Sequence, residues 1–206
     1  MFSKIFDGVN RALATKLMLA HILIIAISNY IVQYKIDIAG HPLSIAAFTF
    51  PLVVVLTDLT VRLIGKETGR AVIGIAFIPA IIVSILIVLA SGAPMSVAVR
   101  IGLGSGFAYF ISNLLDVYVF QYFREKYQNT WYIAPTLSAI VSTFIDTYTF
   151  FGVAFAGGDD PFMSQHWVEV ATNNSISKLI ISLAVILPAY GMLLNFIQRK
   201  MNKVEN

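Results

Sequence analysis

Six stretches of this chain are long and apolar enough to cross a lipid bilayer, and nothing else in the sequence constrains its fold as tightly. They run approximately over residues 17–34, 43–64, 71–91, 99–121, 132–156 and 177–197. A hydrocarbon core of about 30 Å takes about 20 helical residues at about 1.5 Å each, so each stretch can reach across. Hydrophobic residues make up 58% of the 206 and charged residues only 12%, against about 45–50% and about 25% in soluble domains. Six spans leave about 86 residues for two termini and five connections, which excludes a large domain outside the membrane. The sequence therefore predicts an all-α membrane protein, a single integral domain of six transmembrane helices, with its function among those helices.

The basic residues orient the bundle. Lys4, Arg11 and Lys16 precede the first span; Arg62, Lys66 and Arg70 follow the second; Arg124 and Lys126 follow the fourth; Arg199, Lys200 and Lys203 close the chain. Of the 14 Lys and Arg, only Lys35, Arg100 and Lys178 fall on the opposite side. By the positive-inside rule both termini are expected in the cytoplasm. Basic residues spread over short loops, with no aromatic stripe among them, also argue against nucleic acid as a partner. The first span has the basic flank of a secretory signal, but it ends in Ser28-Asn29-Tyr30 with no small-x-small cleavage pattern, so it is expected to be retained. Trp131, Tyr132, Tyr127, Tyr34 and Trp167 sit near span ends, as an interfacial belt requires. The longest connection, Gly158 to Ser177, reads either as a solvated loop or as a short interfacial helix. The chain has no cysteine, so disulfides, thiolate metal sites and cysteine nucleophiles are excluded. His21 and His41 lack acidic partners at ligand spacing, so neither a metal nor a cofactor is expected.

Ionisable groups inside spans are costly and mark function. Three carboxylates qualify: Asp58 in span two, Asp116 in span four and Asp146 in span five. Counting from span centres places Asp58 and Asp116 about 6 Å to the cytoplasmic side of the midplane, Asp146 near it, and Asn29 about 5 Å beyond it. Two of these carboxylates lie in a repeated segment. Ser112-Asn113-Leu114-Leu115-Asp116-Val117-Tyr118-Val119-Phe120 matches Ser142-Thr143-Phe144-Ile145-Asp146-Thr147-Tyr148-Thr149-Phe150 at Ser, Asp, Tyr and Phe. On a helix Ser, Asp and Phe at i, i+4 and i+8 form one stripe. Consecutive spans run antiparallel, and an inverted repeat with its site near the midplane is a recurrent transporter device. Carboxylates accept N–H groups and aromatic rings stack on flat rings, so the stripe suits a planar nitrogen heterocycle. The candidate binding residues are Asn29, Asp58, Asn113, Asp116, Phe120, Asp146, Phe150 and Lys178.

Arg62 lies four residues after Asp58 on the same face but near a span end, where snorkelling explains it without a substrate. Lys178 enters span six against the charge bias, where it can pair with Glu169, meet an anionic group or serve as a flanking anchor. Gly102 and Gly106 form a GxxxG pair for close helix packing, within the monomer or across a homodimer. An intramembrane serine hydrolase fails on spacing, because Leu103 stands where GxSxG needs glycine and no histidine lies mid-span. Pro51, Pro79, Pro135 and Pro188 fall inside or at the start of spans, where they kink helices and free carbonyls.

Several segments, in order, resemble one family. They are Ser28-Asn29-Tyr30, Phe48-Thr49-Phe50-Pro51, Thr57-Asp58-Leu59-Thr60-Val61-Arg62, Leu115-Asp116-Val117, Asp146-Thr147, His166-Trp167-x-Glu169, Lys178 and Pro188-x-Tyr190-Gly191-x-x-Leu194-Asn195. Together they resemble the queuosine precursor transporter, or vitamin uptake transporter-like, family. The resemblance implies a multi-pass protein of the bacterial inner membrane, not an enzyme, that imports 7-cyano-7-deazaguanine and 7-aminomethyl-7-deazaguanine for tRNA modification. The competing expectation is a substrate-binding membrane subunit of an energised vitamin or nucleobase uptake complex. The Ala-x-x-x-Ala docking face of such subunits is missing from span one, where Ala20 and Ala26 have the wrong spacing.

Overall fold

The computed structural model describes residues 8–31, 34–38 and 41–202. In chain order the helices are α1 (Arg11–Ile31), α2 (Ala46–Leu63), α3 (Lys66–Ala90), α4 (Met95–Lys126), α5 (Ile133–Phe155), α6 (Pro161–Ile181) and α7 (Leu187–Asn202). A π-helical turn, Ser182–Ile186, joins α6 to α7, so Pro161–Phe196 counts as one long element and, among the described residues, six helices are long and apolar enough to span a membrane. Between α1 and α2 lies an antiparallel hairpin, β1 (Lys35–Ile38) and β2 (His41–Ser44), with Lys35 opposite Ser44 and Ile38 opposite His41. The hairpin is an addition to the expected helices, and α2 accordingly starts at Ala46.

Apolar faces set the packing. On α1 the buried residues Ala14, His21, Ile25 and Ser28 form one stripe at helical spacing, while Leu19, Leu23 and Ile27 are exposed where lipid would lie. Helix α4 runs between α3 and α5. Arg100 at its start donates to the carbonyls of Ala154 (3.1 Å) and Ala156 (2.7 Å) at the end of α5, so the two helices are antiparallel. In that position Arg100 satisfies two of the carbonyls that every helix leaves free at its C-terminus.

Alternate glycines let α4 approach both neighbours. A Cβ at Gly102 or Gly106 would run into Ile85 or Ile81 of α3, and one at Gly104 would stand 3.1 Å from the Phe150 carbonyl and 3.3 Å from Ala154 of α5. The GxxxG face is thus filled within the monomer by α3. The core beside it gathers Ile25, Val53, Val61, Ile73, Tyr109, Val117 and Phe120.

The stretch read as the longest connection is helical from Pro161. Asp160 caps α6 by accepting from the Met163 backbone N–H at 3.0 Å, and Pro161 occupies the first turn, where its missing N–H costs nothing. Further along, Pro188 cannot donate to the carbonyl four residues back, and its ring crowds that carbonyl. The π-turn immediately before it accommodates the mismatch.

Candidate functional site

Helix α2 carries Thr57, Asp58 and Arg62 on adjoining positions of its inner face. Thr57 donates to the Val53 carbonyl at 3.0 Å and lies 3.2 Å from Asn113 Oδ1 of α4. The Asn113 amide is fixed in turn by donating to the Tyr109 carbonyl at 2.9 Å. At the next residue of α2, and one turn further along α4, Asp58 and Asp116 face each other; they are 2% and 0% exposed. Arg62 supplies positive charge to Asp58 from the next turn of α2, with its guanidinium 5.9 Å above the Phe120 ring. Tyr190 of α7 comes close to both Asp58 and Arg62.

These buried groups chiefly meet one another, Asp58 against Asp116 and Arg62 against Tyr190. Asp58 Oδ1, both oxygens of Asp116, Arg62 Nη1 and the Tyr190 hydroxyl are all enclosed. Ser138 and Ser142 of α5 reach Asp116 with their hydroxyls, which also lie 3.4 Å from the Pro135 and Ala139 carbonyls. An enclosed polar group without a partner costs about 1–3 kcal/mol, more when charged. Buried ionisable groups within spanning helices concentrate at functional sites.

Asp58 and Tyr190 line a crevice with Pro51, Val55, Pro135 and Ser182. Its free volume, about 20 Å³ measured to the centres of water-sized spheres, has room for about one water. Below it a basin of about 1090 Å³ opens among Arg62, Gln121, Arg124, Trp131 and Asn195. Trp131 and Tyr190 stack, with ring centres 6.3 Å apart and planes 26° apart, where crevice and basin meet. The Trp131 ring also packs against Gly191, where any side chain would collide with it.

The other sequence-predicted residues make different contacts. Asn29 donates to Ser84 of α3 at 2.7 Å, next to the Ser28–Thr49 bond at 2.7 Å that ties α1 to α2. Asp146 pairs with Lys178 at 3.1 Å, and the ammonium also lies 3.3 Å from Thr147 Oγ1 and 5.0 Å from the Phe50 ring centre. Phe150 joins Phe151 and Phe155 near the far end of α5. Phe120 is enclosed in the core beneath Arg62, with no free face for stacking. The structure thus groups Asp58, Asn113 and Asp116, adds Arg62 and Tyr190, leaves Asn29, Asp146 and Lys178 in helix-to-helix contacts, and sets Phe150 among the rings of its own helix.

Sequence reasoning passed over Tyr190, and it read Arg62 as a snorkelling end residue. The available signals were the i, i+4 spacing of Asp58 and Arg62, and a tyrosine following a mid-span proline. Among the described residues no three of His, Cys, Asp and Glu gather into a metal site.

A family described as "Putative vitamin uptake transporter" matches residues 44–193, from the end of β2 into α7. The chain belongs to that family. This vitamin uptake transporter match contains Asp58, Arg62, Asn113, Asp116 and Tyr190. Over 196 residues the chain is 36% identical to the "Queuosine precursor transporter" of Escherichia coli (strain K12), covering 90% of this chain and 88% of that protein. It is 37% identical over 204 residues to the "Probable queuosine precursor transporter" of Haemophilus influenzae (strain ATCC 51907 / DSM 11121 / KW20 / Rd), covering 88% and 86% respectively. No solved structure matches the chain significantly. As a vitamin uptake transporter family member with six spanning helices, it is a multi-pass inner-membrane transporter and not an enzyme.

Proposed function

We propose that this chain imports queuosine precursors, with 7-cyano-7-deazaguanine as its main cargo and 7-aminomethyl-7-deazaguanine as a second. The observation that carries the reading is the pair Asp58 and Asp116, two enclosed carboxylates set against each other, in a chain related along most of its length to proteins named for such transport. A deazaguanine has a ring N–H and an exocyclic amine side by side, and a carboxylate accepts both at once. The aminomethyl compound adds a cation, which the second carboxylate suits. Asn113, held between Thr57 and the Tyr109 carbonyl, lines up with Asp116 on α4 as a further polar contact.

The distribution of basic residues supports an orientation with both termini in the cytoplasm. The basin beside Arg62 and Arg124 then opens inward. Asp146 and Lys178 join α5 to α6. Importers alternate between such inner and outer openings around a site near the membrane midplane.

The test is a cell unable to synthesise deazaguanines and lacking its own importer, supplied with nanomolar 7-cyano-7-deazaguanine. Expression of this chain is expected to restore queuosine in hydrolysed tRNA, and Asp116→Asn is expected to abolish that restoration. Unmodified tRNA with the wild-type protein present in the membrane would overturn the substrate assignment.

A further inference from the structure

Asp58 and Asp116 are hydrogen-bonded to each other through their side chains, and an ionised carboxylate has no hydrogen to donate. A bond between two carboxyl groups therefore contains a proton. Helix packing holds the two together: Thr57, the residue before Asp58, lies 3.2 Å from Asn113 Oδ1, one turn before Asp116 on α4. Asp58 Oδ1 and both Asp116 oxygens are enclosed, so solvent is not there to stabilise a second negative charge. Arg62 acts on Asp58 from its own helix, and the Tyr190 hydroxyl meets Arg62 from α7. Ser138 and Ser142 reach Asp116 from α5, while Arg124, at the basin, has Glu125 beside it. Within the enclosure two carboxyl groups thus stand against one guanidinium, and a single proton brings their sum to zero. Two carboxylates that share a site resist ionising together, all the more where charge is costly inside a membrane.

We propose that the Asp58–Asp116 pair carries one proton inward with each molecule of cargo, which makes the protein a proton symporter. The coupling rests on the import reading above and adds what drives it. Asp58 lines the crevice that has room for about one water, while Asp116 is 0% exposed behind it, so the proton enters and leaves at Asp58. On the outer side hydronium gives its proton to an Asp58 oxygen and leaves as water; on the inner side the transfer runs in reverse. Asp116 stays ionised and accepts the N–H groups of the cargo. Without the proton, the cargo would have to settle against an enclosed excess of negative charge, so it binds to the protonated pair. Arg62 and Arg124 line the basin, and positive charge there favours the ionised pair, which releases the proton on that side. An uncharged cargo alone feels no pull from the membrane potential, whereas a proton travelling with it does.

The experiment reconstitutes the full chain into sodium-free vesicles and follows labelled 7-cyano-7-deazaguanine, measuring net uptake beside exchange against the unlabelled compound. With the outside about one pH unit more acidic, the wild type is expected to accumulate label about tenfold, the factor that one proton per cargo supplies. A protonophore is expected to return the two sides to equal levels. Exchange without accumulation would overturn the coupling and leave import standing, whereas neither exchange nor uptake would overturn the import reading itself. Asp58→Asn has no carboxyl proton to carry, and whatever label it moves is expected to stop at equal levels; accumulation as in the wild type would overturn the assignment to the pair. Infrared spectroscopy reads the proton without any transport, because a neutral carboxyl absorbs apart from an ionised one. In an ester-free detergent at neutral pH the wild type is expected to show the neutral-carboxyl band and Asp58→Asn to lose it. Absence of the band from the wild type, or its unchanged presence in the variant, would overturn the shared proton.

Discussion

Asp116 is fully enclosed against a second carboxylate, Asp58, while Asp146, at the matching place in the repeated segment, holds Lys178 at 3.1 Å. Removing charge from a carboxylate buried against another carboxylate relieves repulsion, whereas removing it from an ion pair strands the partner. Asp116→Asn is therefore expected to keep or raise the melting temperature of the purified protein while uptake of labelled 7-cyano-7-deazaguanine into vesicles falls at least about tenfold. Asp146→Asn is expected to lower stability by about 1.5–3 kcal/mol, the range for a hydrogen bond to a charged group. Thermal unfolding followed beside uptake separates the two; a large stability loss in Asp116→Asn would mean that the carboxylate is a structural partner. The sequence made both aspartates legible, because an ionisable residue in an apolar run stands out by composition alone. Their division of labour was not legible, since pairing depends on which helix lies alongside, and Lys178 reaches α5 from a different span. Tyr190 stood in a family-like segment but not among the candidate binding residues for a similar reason: a tyrosine in a membrane helix carries no charge to announce it.

At the scale of elements, α4 depends on having glycine where its neighbours come closest. Gly104 is pressed by backbone, the Phe150 carbonyl at 3.1 Å and the Ala154 nitrogen at 3.3 Å, and neither can rotate away. A Gly104→Leu protein is expected to lose at least about 1–3 kcal/mol by overpacking, visible as a lower melting temperature and a larger aggregated fraction on gel filtration. Gly74→Ala on α3 has nothing within 4 Å of the added carbon and is expected to leave both unchanged. An unaltered melting temperature in Gly104→Leu would show that α4 and α5 can separate freely. The spacing of Gly102 and Gly106 gave away close packing, but the choice of α3 as partner comes from the Ile81 and Ile85 side chains lying over them. Asp160-Pro161 is a helix-start signature in the sequence, yet the polar stretch after it, with Asn173 and Asn174, hid a helix that begins far ahead of the apolar run. The π-turn before Pro188 was foreshadowed only as a kink, because a proline predicts the broken bond and not how the chain absorbs it.

For the whole molecule, the absence of cysteine from the sequence makes topology directly measurable. Single cysteines replacing Lys66 and Gln128 are expected to react only when a reagent reaches the cytoplasm, and ones replacing Ser91 and Asp159 with a membrane-impermeant reagent on spheroplasts. Labelling of Lys66→Cys from outside would reverse the orientation and with it the direction in which the basin faces. The six spans were readable because lipid demands long apolar runs, and the hairpin between α1 and α2 was not, being too short for its alternation to stand out. The crevice above the basin has a further consequence for the cell that carries this protein. An energised membrane drives each elementary charge inward with about 2.3 kcal/mol per 100 mV, so any standing water column through an idle carrier would short-circuit it. With room for about one water beside Asp58 and Tyr190, and with Val54, Leu183 and Ile186 among its walls, the crevice is too small for such a column. Scarce cargo can then be awaited by many idle copies without discharging the membrane they sit in.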